Sequence, residues 1–533
     1  MSSIRTRALN KCFDSSPRIN PVLANGLVEH QSKGIERYID EIIRSASHSF
    51  PPGLKYVDCR RATPEEQFRE LTRLRRSKRI HELAASDLYH CKYRFEFNGI
   101  ELKPRYIQLP YIRRGGLIRI RNASFVVSPV LADNVFSVER DQIYMPVSRS
   151  KLTFNRWPVT FRANGKLVSV DTVHSPIFNT RKKERHKHKV SLLIHYILAR
   201  YGLKDGLKKY FGADVVCGYS DINEKDYPAN KWVICSSTGV RPNTPGYNHY
   251  IPSELKFAIP KKQYNKTMAS VMGGIFYIVD HEPDLVVPEQ VNGTGMWRRL
   301  LARFIKADVG IERKSIEEMN SHIDSVDDYM DDLVRRRLKA EGIPCDTIYS
   351  VFAHMLETFS DRTLECDPAN MFDKRLESIP FLMYDVVYWI FTLMFELVKL
   401  TGERLNTASV ERAFDLAFPT NEILKINRMH GEVATLESAT DFLPLAVTKT
   451  LVPQSKANVI GRGSKGNEMN DPAFALHPSQ CAVGTYLFIT KSDPSARSAI
   501  NHFLEIDDVT GAIKPNPAQQ VVLDNLGKLL YET

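Results

Sequence analysis

From Tyr93 to about Val173 the chain alternates apolar and polar residues in short runs such as YRFEF, LIRIR and SFVVSPV, broken at Gly115-Gly116, Ser128-Pro129 and Asn164-Gly165. A period of two between such breaks predicts mostly antiparallel sheet. Just before it, Thr63-Pro64-Glu65-Glu66 sets a Thr cap, a Pro at the first helical position and a Glu at the third, which predicts a helix from there to about Ala85. Arg73, Arg75, Arg76, Lys78 and Arg79 make this helix densely basic, a face that serves solvation or meets phosphate. Further on, VSLLIHYILARYGL has the spacing of a helix packed on a core and ends at Gly202. Residues from about Gly202 to Glu289 read as mixed strands and loops, and Met296 to about Phe359 as helical.

The most apolar stretch, FLMYDVVYWIFTLMFELVKL from Phe381 to Leu400, has an uncharged run of only ten residues, Val386 to Phe395, between Asp385 and Glu396. A bilayer core needs roughly 20 in a row. A buried helix is therefore expected.

With 533 residues, 43% of them hydrophobic, the chain is globular and long enough for two to four domains. A formal charge of +11 makes a polyanion, nucleic acid first of all, the partner to consider. The eight cysteines form no C-x-x-C pair, so neither a zinc ribbon nor a disulfide framework is indicated and a reducing cytoplasm fits. The opening MSSIRTRALNKCF lacks the apolar core of a secretory signal.

Candidate chemistry is sparse. Arg181, Lys182, Lys183, Arg185, Lys187 and Lys189 crowd nine residues ahead of the VSLLIHYIL helix. A basic run feeding a helix N-terminus suits phosphate, because the first-turn amides and the dipole favour anions. His186 and His188 in that run have no Cys or third His at ligand spacing, short of the three or four ligands a zinc site needs. Glu254-Leu255-Lys256 has the E-x-K form of metal-dependent nucleases, and Asp280, Glu282 and Asp284 gather acids around His281; an additional acid would have to share Mg²⁺ with the E-x-K pair. Asp324, Asp327, Asp328, Asp331 and Asp332 are placed on one helix face, either solvating its early turns or holding Mg²⁺ and a diphosphate. In the loop Gly461 to Asn467, glycines flank Arg462 and Lys465 and would let the backbone approach a strand.

Several segments resemble the β (second-largest) subunit of multisubunit RNA polymerases, in the family's order from about residue 95 to 510. RRGGLIRIRNASFVVSPVLADNVFS matches a strand-pair element at Gly116, Asn122, Ser128-Pro129 and Phe136, and RHKHKVSLLIHYILARYGL resembles the element RRRKLPATILLRALGY. DPANMFDKRLESIPFLMYDVVYWIF, with Asp373, Lys374, Arg375 and Leu376, resembles the D-x-D-H-x-G-N-[RK]-R-[IL] step into a helix. The stretch from Asn421 to Asn467 is similar to the family's fork region, with its basic strand and Gly-rich loop. LHPSQCAVGTYLFITKSDPSARSAINHFL then resembles the element that begins V-H-P, at His477, Pro478, Pro494 and Ile500-Asn501 to Leu504. Two departures stand out. Lys491-Ser492-Asp493-Pro494-Ser495 replaces the family's acid-rich ETPEG, and the basic pair before the fork loop is reduced to Lys449 and Lys456.

The resemblance implies a mixed α/β (α+β) multidomain chain: protrusion at 1–140 and again at 366–430, lobe at 141–365, fork at 431–533. The chain stops where the family's β subunit is about half complete, as in the split β subunits of giant-bacteriophage polymerases. The implied role is one wall of the DNA cleft, with Lys449, Lys456, Arg462, Lys465, Lys491 and Arg497 near nucleic acid or nucleotide and the run Arg181 to Lys189 on phosphates. No catalytic residue or metal ligand is expected here, because Mg²⁺ resides on the partner β′ subunit in the family. Expected partners are the C-terminal β fragment, N- and C-terminal β′ fragments, an additional specificity subunit, template DNA and nascent RNA, with no membrane. The expected location is the bacterial host cytoplasm, with carriage in the virion left open. A Mg²⁺-dependent nuclease of the E-x-K type and a DNA-binding virion structural protein are the alternatives.

Overall fold

The computed structural model describes residues 35–47, 50–78, 88–111, 117–120, 123–127, 130–133, 136–139, 142–147, 150–175, 190–219, 221–240, 251–305, 312–330, 332–365, 370–377, 379–400, 402–418, 436–438, 452–453, 479, 504–507 and 510–517. The chain divides into two units: Met1–Asn134 with Asp367–Thr533, and Val135–Cys366 between them.

The first unit begins with helix α1 (Ile35–Ser47), whose Ile35, Ile39, Ile42 and Ile43 are buried on one side. Strand β1 (Leu54–Arg61) leads to helix α2 (Pro64–Lys78), then to β2 (Leu88–Phe97), β3 (Ile100–Glu101) and β4 (Arg105–Pro110). These strands form an antiparallel sheet with β2 paired to all three others. Alternation along β2 buries Tyr89, Cys91, Tyr93, Phe95 and Phe97 and turns Lys92, Arg94 and Glu96 to the other face. Asn98 and Gly99 join β2 to β3 with φ of 50° and 82°, the two left-handed positions of a tight hairpin that Asn-Gly favours. Helix α2 starts where Thr63-Pro64 predicts: the Thr63 hydroxyl accepts from the Glu66 amide (3.3 Å) and Glu66 accepts from the Thr63 amide (3.0 Å). It is described as far as Lys78; the expected continuation to Ala85 lies outside the described residues. Strands β5 (Leu117–Ile120) and β6 (Ala123–Val127) form a hairpin, followed by β7 (Val130–Asp133).

The second unit holds β8 (Ser137–Glu139), β9 (Gln142–Val147), β10 (Ser150–Ala163) and β11 (Lys166–His174). After helices α3 (Leu193–Tyr201) and α4 (Leu203–Phe211) come β12 (Val216–Gly218), β13 (Trp232–Ser236) and β14 (Lys256–Pro260). All seven strands join in one antiparallel sheet. The expected antiparallel character of Tyr93 to Val173 is thus observed in the described strands of both units. Helix α5 (Lys266–His281) packs on β10 and β11, where a Cβ on Gly273 would stand 2.5 Å from Val159 and 2.9 Å from Val170. The expectation of only strands and loops across 202–289 is corrected by α4 and α5. Helix α5 is buried on nearly every side, so its sequence shows no amphipathic period. Helices α6 (Thr294–Ile305), α7 (Glu312–Ser325), α8 (Asp332–Ala340) and α9 (Ile348–Glu365) complete the unit, helical as expected.

The chain then returns to the first unit through β15 (Lys374–Glu377), α10 (Ile379–Val398) and α11 (Thr407–Ala417), with short strands β16 (Leu436–Ser438), β17 (Val452–Pro453), β18 (Glu505–Ile506) and β19 (Ile513–Lys514). Val386, Trp389, Ile390, Leu393 and Leu397 of α10 and Val410, Ala413 and Phe414 of α11 share one core with α1, β2 and β4. Phe95 and Phe414, over three hundred residues apart, pack with ring centroids 4.5 Å apart. Among the described residues no helix is long and apolar enough to cross a membrane, and the apolar stretch expected to be a buried helix is α10, which is helical and buried on one side but leaves Phe395 and Val398 exposed.

Candidate nucleic-acid interface

Segments far apart in the chain meet at β7. The returning strand β15 pairs with it antiparallel, Lys374 opposite Asp133 and Glu377 opposite Val130. Strand β17 pairs along its other side in parallel, Val452 opposite Val130. Along the edge of β15 away from β7, the Leu376 amide donates to the Gly511 carbonyl (2.8 Å), and Arg375 bridges Ala512. The Met371 amide donates to the hydroxyl of the buried Ser479 (2.8 Å). Strand β16 joins the neighbouring hairpin, Leu436 opposite Val127. The segments following Ser128-Pro129, spanning Asp373 to Leu376 and preceding the Gly461 loop are therefore fixed to one another through the backbone, and the segment following His477-Pro478 is attached through the Ser479 hydroxyl. The Lys-Arg-Leu step is itself a strand, and the helix begins two residues after it, at Ile379. Ser479 carries no signal in the sequence, since a lone Ser beside His-Pro has no spacing to mark it.

All twelve cationic positions expected at nucleic acid, Lys449, Lys456, Arg462, Lys465, Lys491, Arg497, Arg181, Lys182, Lys183, Arg185, Lys187 and Lys189, lie outside the described residues. Described residues flank two of the groups. Val452 and Pro453, between Lys449 and Lys456, are held on β7. The run Arg181 to Lys189 leaves after Ser175 and re-enters at Val190; the Ser175 amide donates to the Ser191 carbonyl (3.0 Å), and the Ser191 hydroxyl donates back to the Ser175 carbonyl. One expectation is corrected here. The basic run does not open helix α3: Val190, Ser191 and Leu192 intervene, all buried, and Leu192 makes a β-bridge to His174 before the helix starts at Leu193. The first turn of α3 is in the core, out of reach of an anion in solvent.

Asp280, Asp324 and Asp327 of the acidic motifs have structural partners. Asp280 is buried and accepts from the Ser237 and Thr238 hydroxyls and the Thr238 amide; burial raises its carboxyl above the ordinary range although those hydrogen bonds oppose the shift. His281 donates from Nδ1 to the Tyr277 carbonyl (2.7 Å). Glu254 is exposed just ahead of β14, which Lys256 opens. Among the described residues no three His, Cys, Asp or Glu side chains gather as a metal site. Asp324, Asp327 and Asp332 do not share a helix face: Asp324 is in the last turn of α7, Asp327 sits in a 3₁₀ turn (Val326–Tyr329) and Asp332 opens α8, while Asp331 lies outside the described residues. Asp324 pairs with Arg200 (2.6 Å), while Asp327 takes Arg335 (3.0 Å) and the Ile348 amide (2.7 Å).

Sequence reading also missed an ion-pair node. Arg105, on β4, is buried, donates to Glu411 and Asp415 of α11, and lies 5.3 Å from the centroid of the Phe414 ring. Its guanidinium holds the Asp415 carboxyl below the ordinary range. The signal was present, because acids four residues apart share a helix face.

Comparison with curated protein sequences gives no match. Residues 6–518 match the family described as "Non-virion RNA polymerase subunit". That match covers nearly the whole chain, both units and every segment meeting at β7, and the chain belongs to the non-virion RNA polymerase subunit family.

Proposed function

We propose that this subunit is the N-terminal half of a split β-type (second-largest) polymerase subunit, forming one wall of the DNA cleft and the fork beside the active centre. The meeting at β7 carries the proposal. Three stretches that resemble β-subunit elements, around residues 130, 375 and 452, are joined by backbone pairing on one strand, and the Ser479 hydroxyl of a fourth holds the Met371 amide just ahead of β15. On this reading the discontinuous first unit corresponds to the protrusion with the fork, and the inserted unit to the lobe. Val452 and Pro453, fixed on β7, would be the fixed point from which Lys449, Lys456, Arg462 and Lys465 approach nucleic acid. Contacts of such cations with phosphate give salt-dependent affinity that is largely independent of sequence.

Bond formation needs two metal ions held by carboxylates, which on this reading belong to the β′ pieces. The family's name describes a polymerase other than the one carried in the virion, which favours action in the host cell over packaging.

Affinity purification of the tagged chain from infected cells, followed by mass spectrometry, tests the proposal. The expected companions are the remaining β piece and two β′ pieces, with RNA synthesis by the complex and none by the chain alone. A chain that cleaves DNA alone with Mg²⁺, or that self-assembles without polymerase companions, would overturn it.

A further inference from the structure

Three segments of the second unit meet at one corner of its sheet. The Lys261 amide donates to the Lys231 carbonyl (2.8 Å) where β14 ends beside the start of β13. Two residues on, the Gln263 side chain accepts from the Asp214 amide (3.0 Å), which brings in the turn after α4. Lys266 then opens α5. Lys231, Lys261, Lys262 and Lys266 are exposed, and none of them pairs with an acid among the described residues. Lys208, from the last turn of α4, is exposed as well, its amine 3.6 Å from Asp214, the acid that these contacts bring to the corner. Five lysines against one carboxylate make a field of single sign, whereas a surface that serves solubility alone intersperses both signs.

We infer that this corner is a docking surface for the phosphate backbone of duplex DNA, met by Lys231, Lys261, Lys262 and Lys266 with Lys208 at its margin. Its chemistry selects nucleic acid over protein. Protein interfaces close around desolvated apolar anchors and are poor in lysine, and none of the large apolar side chains of 228–232 and 260–267 is exposed. Hydrated ammonium groups suffice for phosphate, because the gain comes from released counterions. The rings at the corner select a duplex over a single strand, which is held by bases stacked on open aromatic faces. Tyr264 packs against the core, and Tyr227 meets Trp232 edge to face, 5.2 Å apart. The inference rests on the reading of this unit as part of the cleft wall and adds the surface and the form of nucleic acid.

The test takes whatever complex co-purifies with the tagged full chain and measures its binding to a fluorescent duplex of random sequence over a range of salt. The quadruple variant Lys231→Gln, Lys261→Gln, Lys262→Gln, Lys266→Gln is expected to bind about tenfold more weakly at moderate salt. Its plot of log affinity against log salt should be shallower by about 2 to 4, since each phosphate contact contributes roughly 0.9 to that slope. Lys339→Gln, at an exposed lysine of α8, is expected to change neither quantity. A photo-reactive side chain at position 262 reads the contact directly and is expected to capture the duplex when duplex, single-stranded DNA and RNA compete. An unchanged slope in the quadruple variant, or cross-links confined to single strands or to protein, would sink the inference. Failure of the split-β reading appears separately, in the identity of the co-purifying polypeptides, while the salt slope and the cross-link still report on the lysines.

Discussion

Arg105 is almost fully buried, while half of the Asp415 side chain it meets remains in water. That asymmetry fixes which partner matters: losing the acids would strand a desolvated guanidinium, whereas losing the arginine lets the acids rehydrate. Buried imidazoles are the other costly groups at this scale. His195 is fully buried and donates from Nε2 to the Gly274 carbonyl (2.9 Å). Burial holds its pKa down at about 4, and burial likewise lowers His174, His281 and His354, the last also to about 4. A histidine whose folded value lies below its unfolded value of about 6.5 binds fewer protons in the native state, so its stability contribution is complete above that pH and declines as pH falls. For His195 the expected loss is about 2 kcal/mol by pH 5. The carboxylates lowered by arginine, Asp415 and Glu66, begin to matter only below their unfolded values near 4. Urea midpoints of the full chain at pH 7.5 and 5.0 should therefore fall with acid, and His195→Gln, which keeps a donor for Gly274, should flatten the decline. An unchanged slope in that variant would refute the assignment.

Elements were legible where their period met solvent on one side. The capping box of α2 and the alternation of β2 could be read because each combines a local chemical signal with a face that water enforces. Helix α5 could not, since burial all round erases the period, and its Gly273-Gly274 pair looks like a turn. Here the glycines mark close approach instead. A Cβ on Gly274 would come within 2.7 Å of Ile194, and one on Gly273 would strike methyls of both Val159 and Val170. Gly273→Ala is accordingly expected to destabilise by roughly 1–3 kcal/mol through overpacking, even though alanine is the better helix former by about 1 kcal/mol. Trimming the opposing side chain in the double variant Gly273→Ala, Val159→Ala should recover part of the loss. Equal loss in single and double variants, measured by denaturant unfolding, would place the strain elsewhere. The helix start behind the basic run was misjudged for a related reason: Val190 to Leu192 are as apolar as the helix they precede, and only the bridge to His174 shows them extended.

At the scale of the whole molecule, the route of the chain decides what can fold alone. The first unit's core draws on α1, β2 and β4 before the insertion and on α10 and α11 after it, so no part ending at Asn134 contains that core. Residues 1–134 alone should lack a cooperative transition, having lost the apolar faces of both returning helices. The insertion has the opposite character. Asp133 stands directly across from Lys374 in the β7–β15 pair, so the chain leaves the first unit and re-enters it at neighbouring points of one small sheet. The intervening residues 135–366 carry a core of their own. Replacing them with a short Gly/Ser linker closes a gap that the β-ladder already spans, and loop-closure entropy rises only slowly with linker length. Residues 1–134 so joined to 367–533 are expected to unfold in one cooperative step with native-like near-ultraviolet dichroism, while 1–134 alone shows neither. Cooperative folding of 1–134 by itself would mean that α10 and α11 decorate a finished core rather than complete it, and the grouping of first and last segments into one unit would then fail.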